Sequence, residues 1–467
     1  MTLRGAIRGG FWLLMTHIVS SLFGFVYWLV MSSVVGAEAM GLAAVVISIG
    51  TLAITIASFG VNTGLLRYGG EALGRGDESK ALSYFWSAVS FLATTHSIAA
   101  MAAILFSPLG ALFIAATILL RVASAFEFYI MAMYRTEVLF VAAVVGGIAK
   151  LTAGFAMAGW GWVGVLFGYV VGVAIGSLIA AVYVLKYSKM SLPRLDKILN
   201  MLRAGVPIWA PNVLLVLGQQ VGVLSVFTMA GAVQTGHLYV AQQIAGLVSA
   251  VAGVVTGLLT PALAAMDASR REAASKSCRL ALALSGPIAA MLVAVPHLPL
   301  SILGEDYAEA AAPLAILALT SLPTVVREAA VSYLLAEKKF GALLILSTLH
   351  TAIQLALYFV LVPIYGSLGA ALATLIASTA SAAVSSIWIE ISKAHVLAIA
   401  IPLALVPTIY LLPWFAVIVA TLSVYLLYPR LGVVTREDIV TMAEAILGKR
   451  VNKIYNKYRK LIDTILS

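Results

Sequence analysis

The sequence predicts an all-α polytopic membrane protein with about fourteen transmembrane helices, set out as two pseudo-symmetric six-helix lobes and a C-terminal helical hairpin. Three observations predict it. Hydrophobic residues make up 62% of the 467 residues and charged residues only 10%, a balance that no water-soluble globule of this length could present at its surface. Apolar runs recur at the roughly 20-residue length a helix needs to cross the hydrocarbon. Shifting the chain on itself by about 195 positions lays its first half over its second.

Glycines, prolines and charge clusters divide the chain into spans. In the first lobe, residues 1–190, these run 9–33, 39–65, 81–104, 107–132, 138–158 and 162–186. The first run is too long for a signal-peptide core and reads as an uncleaved span. A basic cytoplasmic linker at 191–205 leads to the second lobe, 206–391, with spans 206–230, 236–263, 279–303, 311–335, 341–364 and 367–391. An apolar hairpin at 392–430 turns at Leu412, Pro413 and Trp414, and residues 431–467 form a basic tail.

Orientation follows from the cations, because Lys and Arg near span ends stay on the cytoplasmic side. Arg4 and Arg8, Arg67, Arg75 and Lys80, Arg135, the linker, Arg270 to Arg279, Lys338 and Lys339, Lys393 and the tail occupy alternate connections. The intervening ones carry no Lys or Arg and hold Glu38, Glu305, Asp306 and Glu309. Both termini are therefore expected in the cytoplasm of a cell-membrane protein. The eight tryptophans, including Trp28, Trp86 and Trp209, are expected at span ends as an interfacial belt. Cys278 is expected in a cytoplasmic loop, as an inert thiol.

The repeat places Gly36 on Gly231, Val45 on Val240 and Ile49 on Ile244, and the charged segment near Arg75 on that near Arg270. Six spans per copy restore the same orientation, so the halves are parallel repeats. Carriers built this way commonly hold substrate between the halves near the bilayer midplane, which points to alternating access.

Arg121, Lys150 and Arg327 are the cations that fall near the middle of spans. A cation at the bilayer centre costs roughly 2.5–3.5 kcal/mol, and is kept where it faces a wet cavity or a partner. The three are expected to line an internal path for an anionic cargo, with Glu127 and Glu328 as partners of the arginines. Within a continuous α-helix neither Arg121–Glu127 nor Arg327–Glu328 has i,i+3 or i,i+4 spacing, so any pairing is expected across helices. His17, Asn212, Gln219, His350 and Gln354 could also face the cavity, as could Asn62, Gln220, Gln242 and Gln243; interhelical hydrogen bonding is the plainer reading of each. Pro207, Pro211, Pro287, Pro296 and Pro323 invite bends in the second lobe. No metal-ligand spacing or nucleophile arrangement stands out, so neither a catalytic group nor a cofactor is expected.

The stretch Val34-Val35-Gly36-Ala37-Glu38-Ala39-Met40-Gly41, then Gly60-Val61-Asn62 and Arg67-Tyr68-Gly69-Gly70-Glu71, resembles the first hairpin of the multidrug, oligosaccharidyl-lipid and polysaccharide (MOP) exporter superfamily. Arg203-Ala204-Gly205-Val206-Pro207, Leu303-Gly304-Glu305-Asp306-Tyr307 and Val362 to Ala371 are similar to its polysaccharide-unit (Wzx-type) flippase branch. The resemblance implies a two-lobed carrier, not an enzyme, that moves polyprenyl-diphosphate-linked oligosaccharide from the inner to the outer leaflet. It also implies membrane lipids and polysaccharide assembly enzymes as partners.

Three other function classes make demands that can be compared with the sequence. A cation-coupled multidrug exporter of the same superfamily would need a buried carboxylate for its coupling ion, and spans one and seven hold none. A membrane glycosyltransferase or polymerase would need a sizeable outer loop, and a facilitator-superfamily carrier a basic signature between spans two and three. The net charge of +10 reflects topology and the tail, which reads from Thr435 as an amphipathic helix suited to an anionic leaflet. Nucleic-acid binding is not expected.

Overall fold

A computed structural model describes residues 3–107, 109–264, 270–435 and Asp438. Among them the chain is helical throughout, without strands, and nine helices are long and apolar enough to cross a membrane. The α-helices are α1 (Leu3–Ala57), α2 (Val61–Gly74), α3 (Glu78–Phe106), α4 (Ala111–Leu120), α5 (Ser124–Ala132), α6 (Glu137–Ala156), α7 (Trp162–Tyr187), α8 (Leu195–Ala264), α9 (Arg270–Ala294), α10 (His297–Ser301), α11 (Ala311–Ala336), α12 (Phe340–Ser385), α13 (Lys393–Ala404) and α14 (Trp414–Leu427). The nine spans treat α4 and α5 as one, and α2, α10, α13 and α14 fall short of spanning length. The tail beyond Asp438 lies outside the described residues.

Three helices are broken by a glycine. Helical geometry stops at Gly36 (φ 79°, ψ 171°) in α1, at Gly231 (φ 88°, ψ 177°) in α8 and at Gly366 (φ 54°, ψ −128°) in α12. These angles are closed to residues with a Cβ at any modest cost, which is why glycine stands there. Gly36 and Gly231 are the residues that the internal repeat superposes, and their backbone angles agree. Gly161 (φ 60°, ψ −132°), ahead of α7, has backbone angles close to those of Gly366. Tyr134 and Lys338 also share a positive φ, of 57° and 56°.

The described chain divides into two compact units. The first takes in the residues up to Val240 with Ile302–Tyr307 and Thr351–Ala370; the second takes in Ala241–Ser301, Ala308–His350 and the chain from Ala371. In the first, Phe85 on α3 centres a core against Phe126 and Tyr129 of α5, with ring centroids 5.0 and 4.7 Å away. Fully buried Tyr307 donates to the Ser32 carbonyl, and His237 hydrogen-bonds the Asp306 carbonyl at 2.7 Å, so Ile302–Tyr307 belongs to this body. α8 is already helical at Leu195, within the stretch expected as linker.

In the second unit α9 is the central helix. Tyr425 donates to the Leu284 carbonyl at 2.6 Å and Tyr428 to the Ala398 carbonyl at 2.9 Å, fixing α13 and α14 about α9. Cys278 is not in a loop: α9 starts at Arg270, and the thiol is fully buried in it. Pro296, expected mid-span, instead lies just past the end of α9, where a missing N–H costs little. Thr435 and Asp438 bond each other reciprocally, backbone N–H to side-chain oxygen, at 2.8 and 3.3 Å, the pattern of a capping box. Asp438 also pairs with Lys276 at 3.1 Å and Arg279 at 2.8 Å. Burial alone would raise its carboxyl, but the Thr435 bonds, Lys276 and the Arg279 charge hold it below the ordinary carboxylate range.

Candidate functional site: a cation-lined cavity in the first unit

A cavity of about 460 Å³ opens among the first part of α1, the α4–α5 segment, α6 and α7. Its walls are mostly apolar, and its polar side chains include Arg121, Glu127, Lys150 and His17. Sequence reasoning selected all four.

Arg121 sits where α4 gives way to a 3-10 turn, Arg121–Ala123, before α5. Its Nη1 and Nη2 donate to the two carboxylate oxygens of Glu127 at 3.1 and 3.4 Å. The expectation that these residues could not pair within one helix is therefore wrong, and the 3-10 turn is the reason. Six residues of continuous α-helix leave two side chains about 120° apart around the axis, whereas three steps at about 120° each cut the mismatch to about 60°. Two long side chains close that gap.

Lys150, on α6, makes no ion pair among the described residues. Its ammonium instead lies 4.2 Å from the ring centroid of Tyr27, 4.8 Å from Trp28 and 4.9 Å from Tyr169. A cation–π contact is worth about 0.5–2 kcal/mol, so three rings offset the roughly 2.5–3.5 kcal/mol cost of a lysine at the bilayer centre. The cage holds the charge without cancelling it. Trp28 is accordingly no interfacial residue: it is 6% exposed and packed in this cage. Tyr27 is fixed in turn by donating to the Val165 carbonyl of α7.

Glycines make room for the cage. A Cβ on Gly172 would lie 2.6 Å from the Lys150 Cβ and 3.0 Å from the Gly146 carbonyl oxygen, and one on Gly147 would lie 2.4 Å from the Phe23 ring. α6 and α7 thus touch backbone to backbone, as helices do in lipid where small residues face each other.

Arg327 and Glu328 lie on α11 in the second unit. Arg327 is 7% exposed; its Nη2 donates to Glu328 Oε1 at 2.6 Å, and its Nε is buried with no hydrogen-bond partner among the described residues. Here too the pair forms on one helix, contrary to expectation, since adjacent long side chains can bend toward each other. His350 of α12, also in the second unit, hydrogen-bonds Ser381 at 3.2 Å. Asn212 and Gln219 are exposed on α8, and Gln354 is buried on α12. Asn62 donates to Ser124 at 2.9 Å, the plain interhelical role.

A profile described as polysaccharide biosynthesis protein matches residues 6–267. The chain belongs to that family. Comparison of this family member with curated protein sequences finds no match. Its fold is similar to a structure described as the lipid II flippase MurJ in an inward closed conformation, with a TM-score of 0.73 and 13% identity over 92% of this chain and 99% of that one. It is also similar to an inward-facing multidrug resistance MATE family transporter of the MOP superfamily, with a TM-score of 0.68 and 13% identity over 85% and 98%.

Sequence reasoning missed Tyr27, Trp28 and Tyr169. The signal that could have found them is the run Gly164, Gly168, Gly172 and Gly176, whose four-residue spacing on an apolar helix marks the face that a neighbour approaches. Tyr27 of α1 lies against Gly168 and Lys150 of α6 against Gly172, while Tyr169 stands on α7 itself beside Gly168.

Proposed function

We propose that this protein is a flippase that carries polyprenyl-diphosphate-linked oligosaccharide, or a polysaccharide repeat unit, from the inner to the outer leaflet by alternating access. Its family membership supports the cargo class, and the observation that carries the reading is Lys150. A lysine in a membrane span that rests against three aromatic rings and makes no ion pair among the described residues keeps a charge available to an anionic headgroup. Arg327, paired with Glu328 in the second unit, is a second interior cation on which translocation is expected to depend.

The finer topology belongs to this proposal. About fourteen crossings, as two six-helix lobes and a hairpin, follow if each glycine-broken helix crosses twice and the two shorter apolar helices, Lys393–Thr408 and Trp414–Leu427, complete the set. Both termini then face the cytoplasm, and the protein sits in the cell membrane beside the enzymes that assemble the polysaccharide.

The test is a flipping assay in vesicles with a defined polyprenyl-diphosphate-linked oligosaccharide. Arg121→Ala and Arg327→Ala are expected to abolish translocation while leaving the protein in the membrane; wild-type transport by the double variant overturns the assignment. The rival is a cation-coupled multidrug exporter of the same superfamily. Drug efflux without lipid flipping would favour it, although the acid in the cavity, Glu127, is already engaged by Arg121.

A further inference from the structure

Arg121 is the cation best shaped for a phosphate, since its guanidinium offers two parallel donors to two oxygens. That fork is already filled. Glu127 accepts from both terminal nitrogens, and the two side chains are 33% and 27% exposed, on the cavity wall. Lys150 borders the same cavity and is paired with no carboxylate among the described residues. The cavity therefore holds one engaged anion receptor and one open one, and the three groups together carry a single net positive charge.

We propose that Glu127 is an internal stand-in for the cargo's phosphate: it occupies the Arg121 fork in the empty carrier and is displaced when a diphosphate, caught by Lys150, arrives. This rests on the anionic-cargo reading above. A carboxylate and a phosphate present the same pair of acceptor oxygens to a guanidinium, so one can replace the other without moving the arginine. A pair this exposed is weak enough to be exchanged, because the released carboxylate can be hydrated in the cavity. A diphosphate brings two phosphate groups to a cavity lined by two cations, whereas Glu127 pairs with Arg121. The stand-in also spares the empty carrier an unpaired arginine within the membrane.

The experiment measures binding of inorganic diphosphate to the purified full chain by calorimetry, with melting of each variant as the folding control. Glu127→Gln is expected to bind about tenfold tighter than wild type, a change of about 1.4 kcal/mol. Arg121→Gln and Lys150→Gln are expected to bind at least tenfold more weakly. Glu127→Asp, whose carboxylate is drawn back by one methylene, is expected between wild type and Glu127→Gln, and carries the test if Glu127→Gln does not fold. If the Glu127 variants bind no tighter while the Arg121 and Lys150 variants lose binding, the displacement is refuted and the anionic site stands. If neither Arg121→Gln nor Lys150→Gln weakens binding, the anionic-cargo reading falls, and the stand-in with it.

Discussion

Removing the positive charge from Lys150 and from Arg121 should stop transport in both cases but cost stability mainly at Arg121. Lys150→Met takes an ammonium away from three rings and leaves no partner behind. Taken at mid-range, three lost contacts of about 0.5–2 kcal/mol each, together about 4 kcal/mol, nearly cancel the roughly 2.5–3.5 kcal/mol released by no longer burying the charge, a net loss of about 1 kcal/mol. Arg121→Met instead strands Glu127 on the cavity wall. Breaking a fully buried pair from one side costs about 3–5 kcal/mol, and the partial exposure of this one, 33% and 27%, discounts that to about 1–2 kcal/mol. Melting of the purified protein should therefore fall further for Arg121→Met than for Lys150→Met, with Glu127→Gln added to Arg121→Met recovering part of the loss. Both single variants should fail in the vesicle flipping assay. The reasoning is refuted if Lys150→Met destabilises as much as Arg121→Met, or if it flips lipid-linked oligosaccharide at the wild-type rate.

Further outcomes follow from the packing and the backbone. Gly172→Val drives a side chain into the Lys150 stem, 2.6 Å from its Cβ; about 1–3 kcal/mol of overpacking should lower the melting temperature and weaken diphosphate binding together. Gly231→Ala meets nothing within 4 Å, so its loss of about 1–3 kcal/mol would come from backbone strain alone, and an unchanged melting temperature would contradict the angles given for Gly231. Asp438 is held below its ordinary pKa, so its clasp on Lys276 and Arg279 contributes stability above the ordinary value of 3.8 and loses it as pH falls through the lowered one. Hydrogen exchange near Gly432 and Val433, whose carbonyls Arg279 also holds, should stay slow at neutral pH and quicken only below about pH 4 or in Asp438→Asn.

The fold class was legible because it rests on composition and on helix length, two signals that tertiary context does not overrule. The interior cations were legible for a similar reason, since a charge in an apolar run stands out at once. Their partners were not. Pairing rules drawn from a continuous α-helix excluded Arg121–Glu127, and only the 3-10 turn at Arg121–Ala123 restores it. No residue in that stretch announces the turn. Trp28 was misplaced because a count of residues from a span end cannot separate a ring at the interface from one turned inward onto Lys150. Cys278 was misplaced because charge near Arg270 marks a membrane boundary, and helices such as α9 continue past it.

The stretch from Gly304 to Lys338 is longer than its counterpart from Gly110 to Tyr134, although all four residues have positive φ. Part of the surplus is the short 3-10 segment Glu305–Ala310, for which the earlier copy, passing directly from Gly110 into α4, has no equivalent. Its Tyr307 and Asp306 bind Ser32 and His237, and so this strap can be fastened only once per molecule. The two stretches are therefore not interchangeable, and putting the shorter in place of the longer would leave the Ser32 carbonyl without its tyrosine.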